Sequence, residues 1–258
     1  MNYNDKKYIN KDTIRLYANT NEEHLVMPVK GIVVEFPGLG GGSCLGGLMD
    51  MQSYSSKESL LFAQKGIIIA YLFPGPWSWG NKGAVRMADA VIDAIKDKYT
   101  LNDKIPVAAC GGSMGGLGAL IFSAGTRHKL CMVAAACPCI DVLDRLNCDE
   151  TFPRTFISAA ACYDMELENA LKSFSPMHCI DKLQNTDYFI CSDAEDQIFP
   201  ESQCDLFVEK LRARNLHVEY HKQPALPHGG FLPEIREKLH CNIESAILKT
   251  QSISDSKE

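Results

Sequence analysis

The chain has 258 residues, 46% of them hydrophobic, and a formal net charge of -6 at pH 7. This size allows a large buried core in one domain, and the acidic balance argues against the basic face of a nucleic-acid-binding protein. No run approaches the roughly 18 consecutive apolar residues of a membrane span. The first residues lack the apolar segment of a signal peptide. We therefore expect a cytoplasmic protein with no nucleic-acid partner and no membrane association.

Eleven cysteines is a high and odd number for this length. Most of them lie in apolar runs, where a reduced cysteine packs as a small hydrophobic residue. A secreted disulfide scaffold would be shorter and richer in loops, so the cysteines also favour a reducing cytoplasm. Only one residue separates Cys137 from Cys139, too few for a Cys-x-x-C redox motif, and no second cysteine pair matches them to form a metal site. We interpret these two cysteines as structural.

From residue 31 onward, apolar strands alternate with helical patterns. The strands are predicted at residues 31–36, 66–73, 105–110, 130–136, 188–191 and 217–221. The helices are predicted at residues 53–65, 84–98, 114–125, 200–214 and 233–249. This alternation predicts an α/β fold, a mostly parallel central sheet flanked by helices. We also predict an outer strand at residues 13–17 and a frayed tail at residues 251–258.

One stretch interrupts the alternation. About fifty residues separate the strand at 130–136 from the strand at 188–191. An ordinary loop in a compact domain is much shorter, and this stretch is helical in pieces. We predict one domain over residues 1–258, with a small helical cap inserted at about residues 141–175.

The segment Gly111-Gly112-Ser113-Met114-Gly115 fits the pattern G-x-S-x-G, with an apolar strand before it and an Ala/Leu-rich helix after it. A serine on such a sharp turn projects its hydroxyl free of the backbone, and the glycines avoid collisions between strand and helix. The helix N-terminus favours negative charge at the hydroxyl, and the backbone N–H of Met114 is a natural donor to an oxyanion. We predict that Ser113 is a nucleophile; the alternative is a glycine-rich connection without chemistry.

A serine hydroxyl near pH 7 needs a base to accept its proton. In sheets that carry such a serine, an acid and then a histidine follow it along the chain, each just past a strand. Of the seven histidines, His228 alone lies in a glycine-flanked loop after the last strand. The loop after the preceding strand holds Asp193, Glu195 and Asp196. Asp196 is our choice because Asp-x-x-x-Pro places it at the end of the loop, and Asp193 is the second choice.

The loop after the strand at 31–36 is expected to supply a second oxyanion donor. Its glycines let backbone N–H groups turn inward, and the first choice of donor is Leu39, with Gly40 as the alternate. The loop superficially resembles a phosphate-binding turn. However, the third glycine of G-x-G-x-x-G is missing and no Gly-Lys-Ser/Thr follows, so the nucleotide interpretation is weak.

Aromatic residues near these loops are candidates for the wall of a substrate pocket. Two tryptophans follow the strand at 66–73, on the side where sheets of this type bind ligands. A phenylalanine comes from the predicted cap. The predicted pocket residues are Gly40, Trp77, Trp79 and Phe156. Ordinary packing under a loop explains the aromatic residues equally well.

Together, the serine turn, Asp196 with Pro200, and His228-Gly229 resemble the α/β-hydrolase superfamily. Within it, the sequence is most similar to the prolyl-oligopeptidase-like, acetyl-esterase and dienelactone-hydrolase-like serine hydrolases, from about residue 31 to the end. It departs from many relatives in having Phe36-Pro37-Gly38 where they have His-Gly. Nothing resembling a propeller domain precedes the similar region, which disfavours an oligopeptidase of the large, gated type.

The resemblance implies a catalytic triad of Ser113, Asp196 and His228, an oxyanion hole from the backbone of Leu39 and Met114, and an acyl-enzyme intermediate. It implies no metal and no organic cofactor. The expected partner is a small-molecule acyl substrate, a carboxylic ester. The alternatives are a peptidase or amidase acting on short peptides and a non-catalytic binding protein of the same fold. Both a monomer and a homodimer are compatible with the sequence.

Overall fold

A computed structural model describes residues 5–40, 56–146, 151–224 and 226–255. In these residues seven strands form one sheet in the order β1-β3-β2-β4-β5-β6-β7. β1 pairs antiparallel with β3, and every other neighbouring pair is parallel. The strands are β1 Ala18–Thr20, β2 Gly31–Phe36, β3 Ile67–Leu72, β4 Val107–Gly112, β5 Leu130–Ala136, β6 Asp187–Asp193 and β7 Val218–Gln223. The predicted α/β fold is confirmed.

Helices connect the parallel strands and cover both faces of the sheet. Within the described ranges they are α1 Lys57–Gln64, α2 Lys82–Tyr99, α3 Met114–Gly125, α4 Val142–Leu146, α5 Thr151–Ala160, α6 Leu167–Ser173, α7 Pro176–Cys179, α8 Glu201–Ala213 and α9 Pro233–Asp255. Short 3-10 turns occur at Asp5–Lys7, Ile14–Leu16, Glu22–His24 and Ile180–Lys182. In the part of the chain that is described, no helix combines the length and apolar character needed to cross a bilayer.

The two faces of the sheet form two separate hydrophobic cores, because successive side chains of a strand point to opposite faces. Val34 and Phe36 of β2 belong to the larger core, together with side chains of α2, α3 and α8. Val33 of the same strand and Cys110 of β4 belong to the smaller core, which α1 and α9 cover. A site at the carboxyl edge of β4 therefore borders both cores.

Two predictions at the ends of the chain are wrong. Residues 13–17 are not an outer strand; they hold the 3-10 turn Ile14–Leu16, and β1 follows it. Thr13 bends the chain there, since its hydroxyl donates to the carbonyl of Tyr8 and accepts from the N–H of Asn10. Residues 251–255 are not frayed, because α9 continues to Asp255 with no glycine or proline after Pro233 to end it. Residues 256–258 lie outside the described residues.

The helix predicted at residues 53–65 begins later than expected. Ser56 is its N-cap, with a hydroxyl that accepts from the N–H of Ser59, so α1 starts at Lys57. Residues 53–55 of that prediction lie outside the described residues. Gly41 and Gly42 of the glycine-rich loop after β2 also lie outside them.

The stretch between β5 and β6 contains α4, α5, α6 and α7. Side chains from the turn before α2 hold α5 in place. The indole N–H of Trp79 donates to the hydroxyl of Thr155 at 3.1 Å, and the amide of Asn81 donates to the carbonyl of Ala159 at 3.1 Å. The single domain over residues 1–258 with a cap at about 141–175 stays a prediction.

Candidate active site

Ser113 occupies the sharp turn between β4 and α3. Its φ of 58° and ψ of -124° lie in a region that residues with a side chain rarely adopt, and such strain costs on the order of 1–3 kcal/mol. The flanking glycines make the turn possible. A Cβ added to Gly115 would lie 2.0 Å from the carbonyl oxygen of Phe36, and one added to Gly111 would lie 2.4 Å from that of Gly115. The close approach of strand, turn and helix thus requires glycine at both positions.

Ser113, His228 and Asp196 form one row of hydrogen bonds. His228 Nε2 lies 2.8 Å from Ser113 Oγ, and His228 Nδ1 lies 2.8 Å from Asp196 Oδ2. A carboxylate can only accept, so Nδ1 carries the proton and Nε2 is free to accept from the serine hydroxyl. Three residues far apart in the sequence therefore meet at the carboxyl edge of the sheet, in the geometry by which a histidine acts as a base.

Asp196 is held as a carboxylate. Its side chain is only 1% exposed, and this burial opposes the charge. However, Oδ2 bonds to His228, and Oδ1 accepts from the backbone N–H groups of Ile198 at 2.7 Å and Phe199 at 2.9 Å. These hydrogen bonds outweigh the burial and hold the pKa of Asp196 below its ordinary value. The buried carboxylate is thereby suited to orient and stabilise a protonated imidazole.

Asp193, the second choice of acid, has other partners. It is wholly buried, and its two oxygens accept from the amide of Gln223 at 2.6 Å and from the thiol of Cys137 at 2.8 Å. Burial raises the pKa of Asp193, and the nearby charge of Asp196 raises it further, against the hydrogen bonds that lower it. Glu195 is exposed. The structure thus places Asp196, and neither of the other two acids, against His228.

One group of side chains in the described residues could hold a metal ion. The thiol of Cys137 and the carboxylates of Asp193 and Asp196 offer ligand atoms within 4.8 Å of one another. The hydrogen bonds that connect Cys137 to Asp193 and Asp196 to His228 already account for this grouping.

The predicted oxyanion donors lie at the start of α3 and in the loop after β2. Among the described residues, no hydrogen-bond acceptor is found for the backbone N–H of Met114 or of Leu39. Gly40, the alternate, donates its N–H to the carbonyl of Pro76 at 3.0 Å, so it is not available. The loop passes close to the serine turn, since a Cβ on Gly38 would lie 3.9 Å from the carbonyl oxygen of Gly112. The donor roles of Leu39 and Met114 stay a prediction.

A cavity of about 350 Å³ adjoins Ser113 on the face of the sheet that α1 and α9 cover. Its apolar wall comes from both helices, from β3 and β4 and from the loop that follows His228. The residues of this wall include Phe62, Ile69, Cys110, Phe231 and Leu239. Charged side chains also reach the cavity: Glu35, Glu58 and Arg236.

The four predicted pocket residues do not line this cavity; the prediction is corrected for Trp79 and Phe156, and for Gly40 and Trp77 it stays a prediction. Trp79 and Phe156 are wholly buried on the other face of the sheet, with ring centroids 4.5 Å apart. The guanidinium carbon of Arg154 lies over the ring of Trp77, 4.9 Å from the ring centroid. Gly40 is exposed. Trp79 and Phe156 fill the core instead of forming a pocket wall, because the described part of α5 lies directly against Trp79.

Sequence reasoning missed the residues that build the cavity and the neighbourhood of Asp193. Phe62 and Leu239 belong to the smaller core, and nothing in the sequence places α1 beside α9. Gln223 is the last residue of an edge strand and carries no motif. Its position after the last predicted strand and before His228 was the one available signal.

The sequence matches the model of the prolyl oligopeptidase family over residues 77–244, a range that contains Ser113, Asp196 and His228. The chain belongs to the prolyl oligopeptidase family. It is a serine hydrolase of the α/β-hydrolase superfamily, as the sequence resemblance implied. No curated protein matches this serine hydrolase in sequence.

Solved structures share the fold of this serine hydrolase. Puromycin hydrolase superposes with a TM-score of 0.67 at 18% identity, over 86% of this chain and 34% of that one. Porphyromonas gingivalis dipeptidyl peptidase 4 superposes with a TM-score of 0.63 at 18% identity, over 88% of this chain and 31% of that one. Esterase B from Lactobacillus rhamnosis superposes with a TM-score of 0.66 at 13% identity, over 91% of this chain and 81% of that one. This chain spans about a third of the first two proteins and most of the third.

Proposed function

We propose that this serine hydrolase cleaves carboxylic esters of small molecules, with Ser113 as the nucleophile, His228 as the general base and Asp196 as the carboxylate that orients His228. The observation that carries the proposal is the row of 2.8 Å hydrogen bonds from Ser113 through His228 to Asp196. The partner is then a small-molecule acyl substrate, and the setting a reducing cytoplasm.

The row of hydrogen bonds supports nucleophilic catalysis in two steps. His228 Nε2 takes the hydroxyl proton while Ser113 Oγ attacks the acyl carbonyl, and Asp196 stabilises the imidazolium that forms. The carbonyl oxygen becomes an oxyanion, which the backbone N–H groups of Met114 and Leu39 bind at the positive end of α3. His228 then protonates the departing alcohol. In the second step His228 activates water, which releases the acid and restores Ser113.

The cavity beside Ser113 supports an apolar acyl group. Pockets for small molecules are mostly apolar, with a few polar groups that fix the orientation of the ligand. Phe62, Ile69 and Leu239 supply apolar walls at the side of the nucleophile. An acyl chain in this cavity would extend away from Ser113 between α1 and α9, with its carbonyl carbon at the serine hydroxyl.

The test is hydrolysis of chromogenic esters together with labelling by a fluorophosphonate, which reacts with an activated serine. We expect Ser113→Ala to abolish both labelling and ester turnover while the protein remains folded. Unchanged activity in Ser113→Ala would contradict the proposal and favour a non-catalytic binding protein.

A peptidase acting on short peptides is the second candidate. The family match and the similarity to proteins named puromycin hydrolase and dipeptidyl peptidase 4 favour it. Esters and aminoacyl amides that share one acyl group separate the two candidates. A kcat/KM for amides equal to that for esters would favour the peptidase, whereas selective turnover of esters supports the first proposal.

A further inference from the structure

A buried side-chain network connects the end of the sheet to the loop that carries His228. Gln223, the last residue of β7, is wholly buried. Its Oε1 accepts from the backbone N–H of Leu232 at 2.8 Å, and its Nε2 donates to the backbone carbonyl of Gly230 at 3.3 Å. The same Nε2 donates to Asp193 at 2.6 Å. One amide thus holds two backbone groups within four residues of His228.

We propose that Gln223 and Asp193 are positioning residues, which fix the His228 loop at hydrogen-bonding distance from Ser113. This inference rests on the proposed function, because it says that the network places His228, the base of that reaction. Neither residue touches the reacting atoms.

The chemistry of the loop explains why the side chain is an amide. The backbone presents one donor, at Leu232, and one acceptor, at Gly230, and an amide can satisfy both. The reverse orientation would set the amide oxygen against the Gly230 carbonyl and the NH₂ group against the Leu232 N–H, and neither contact is a hydrogen bond. Asp193 reinforces the observed orientation, because a carboxylate only accepts and so draws the NH₂ group of Gln223 toward itself. Asp193 therefore acts through Gln223.

Strand pairing fixes Asp193 and Gln223 relative to each other. They are register partners at the ends of β6 and β7, so the sheet itself places their side chains side by side. The second oxygen of Asp193 accepts from the thiol of Cys137, which follows β5. The network thus connects the ends of three adjacent strands, and the pairing of these strands holds its side chains in place.

The His228 loop depends on such support. Gly229 has a φ of +78°, and the N–H of Gly230 closes a turn onto the carbonyl of Pro227 at 2.9 Å. Besides the hydrogen bonds of His228 itself and the packing of Phe231 against the smaller core, the side chain of Gln223 adds two hydrogen bonds between the end of the sheet and the backbone of this loop. A displacement of a catalytic group by about 1 Å lowers the rate by about 100-fold. Loss of the amide is therefore expected to reduce kcat and to leave substrate binding nearly unchanged.

The experiment compares Gln223→Leu with Gln184→Leu. Gln184 is a matched control: its Oε1 accepts from the N–H of Leu130 at 2.9 Å and its Nε2 donates to the carbonyl of His128 at 2.8 Å, away from the site. Both variants lose an amide that joins two backbone groups. We expect Gln223→Leu to lower kcat for a chromogenic ester by about 100-fold with KM changed by less than about threefold. Gln184→Leu should also be less thermally stable than the wild type, by a smaller amount because Gln184 is only half-buried, and its kcat should equal that of the wild type.

A second set of variants tests whether Asp193 acts through Gln223. Asp193→Asn retains an oxygen acceptor for the Gln223 amide and should keep kcat within a few-fold, whereas Asp193→Ala should lower kcat. The double variant Asp193→Ala/Gln223→Leu should lose no more than Gln223→Leu alone, because coupled residues are not additive. The two single Asp193 variants also serve if Gln223→Leu does not fold.

Two outcomes would overturn the inference: a wild-type kcat in folded Gln223→Leu, or fully additive losses in the double variant. Either result, with Ser113→Ala inactive, rejects the positioning role and leaves the proposed function intact. Activity that persists in Ser113→Ala instead rejects the proposed function itself.

Discussion

The two sides of the Ser113–His228 pair are built in contrasting ways. On one side lies the aromatic flank, formed by Trp79, Phe152, Phe156 and Phe199, whose rings contact one another and reach His228 through Phe199 at a centroid distance of 5.1 Å. On the other side lies the cavity flank, the cavity of about 350 Å³ bounded by Phe62, Ile69 and Leu239. The aromatic flank is filled by its own side chains, so large aromatic residues here give rigidity, and the open space lies on the cavity flank.

Each flank also holds one aspartate of the loop after β6. Asp196 accepts from the N–H of Phe199 and belongs to the aromatic flank. Asp193 accepts from Cys137, which lines the cavity, and belongs to the cavity flank. The rigid flank thus holds the acid that contacts His228, and the open flank holds the acid that contacts Gln223. Substitutions on each flank test this division.

The largest effect is expected from Asp196→Asn. An asparagine amide can donate to His228 Nδ1 and so favours the tautomer that cannot accept the serine proton, which lowers kcat by about 10⁴-fold in such triads. The matched control is Asp193→Asn, three residues away, for which we expect a change of only a few-fold. Steady-state ester hydrolysis measures both. Comparable losses in the two variants would contradict the assignment of one acid to each flank.

Next in size is the effect of Phe156→Ala on stability. Phe156 is wholly buried in the aromatic flank, and removal of such a ring from a core costs about 3–5 kcal/mol of unfolding free energy. The control is the next residue, Ile157, which is 49% exposed; for Ile157→Ala we expect a change within about 0.5 kcal/mol. Urea unfolding gives both values. The acyl-chain preference should remain that of the wild type, and a shift in it would mean that the aromatic flank does contact substrate.

The same division explains what the sequence could predict. The strands at 31–36 and 130–136 and the helix at 114–125 have the predicted bounds, because hydrophobic periodicity and glycine turns are local signals. Ser113, Asp196 and His228 could be found because each lies just past a strand of a parallel sheet, where chain order fixes which side chains meet.

The cavity could not be predicted, because it depends on packing between elements distant in sequence. Leu239 and Phe62 are about 180 residues apart and look like ordinary core positions of two helices. Trp79 misled the pocket prediction for a related reason. A tryptophan after a strand can line a pocket or fill a core, and the choice depends on the approach of α5, whose Thr155 accepts from the indole.

A smaller effect is expected on the cavity flank from Leu239→Trp. The indole ring is larger than the leucine side chain and would shorten the cavity. Each substrate methylene that no longer fits a pocket costs about 1–3 kcal/mol of transition-state binding, or roughly 10–200-fold in kcat/KM. We expect kcat/KM to fall at least about tenfold for the longest ester that the wild type accepts, and to change little for an acetyl ester. Leu61→Trp, at a position of α1 that is 50% exposed, is the control. An equal fall for all chain lengths would show that the cavity does not bind the acyl group.

The smallest effect is the pH dependence of stability, in which the two aspartates should differ in sign. Burial raises the pKa of Asp193 above its value in the unfolded chain, which is about 4. At a pH between these two pKa values, the native state binds the proton more tightly than the unfolded state does. Stability then falls as pH rises through that window, and Asp193→Asn should lack this fall. Asp196 is buried too, but its hydrogen bonds lower its pKa. Its contribution is complete above about pH 4 and is lost as pH falls through the folded pKa, and Asp196→Asn should lack that loss. Urea unfolding of the wild type and both variants between about pH 3 and 6 measures the two slopes. Slopes of the same sign would mean that the carboxylates share one environment, and the contrast between the flanks would not extend to their charges.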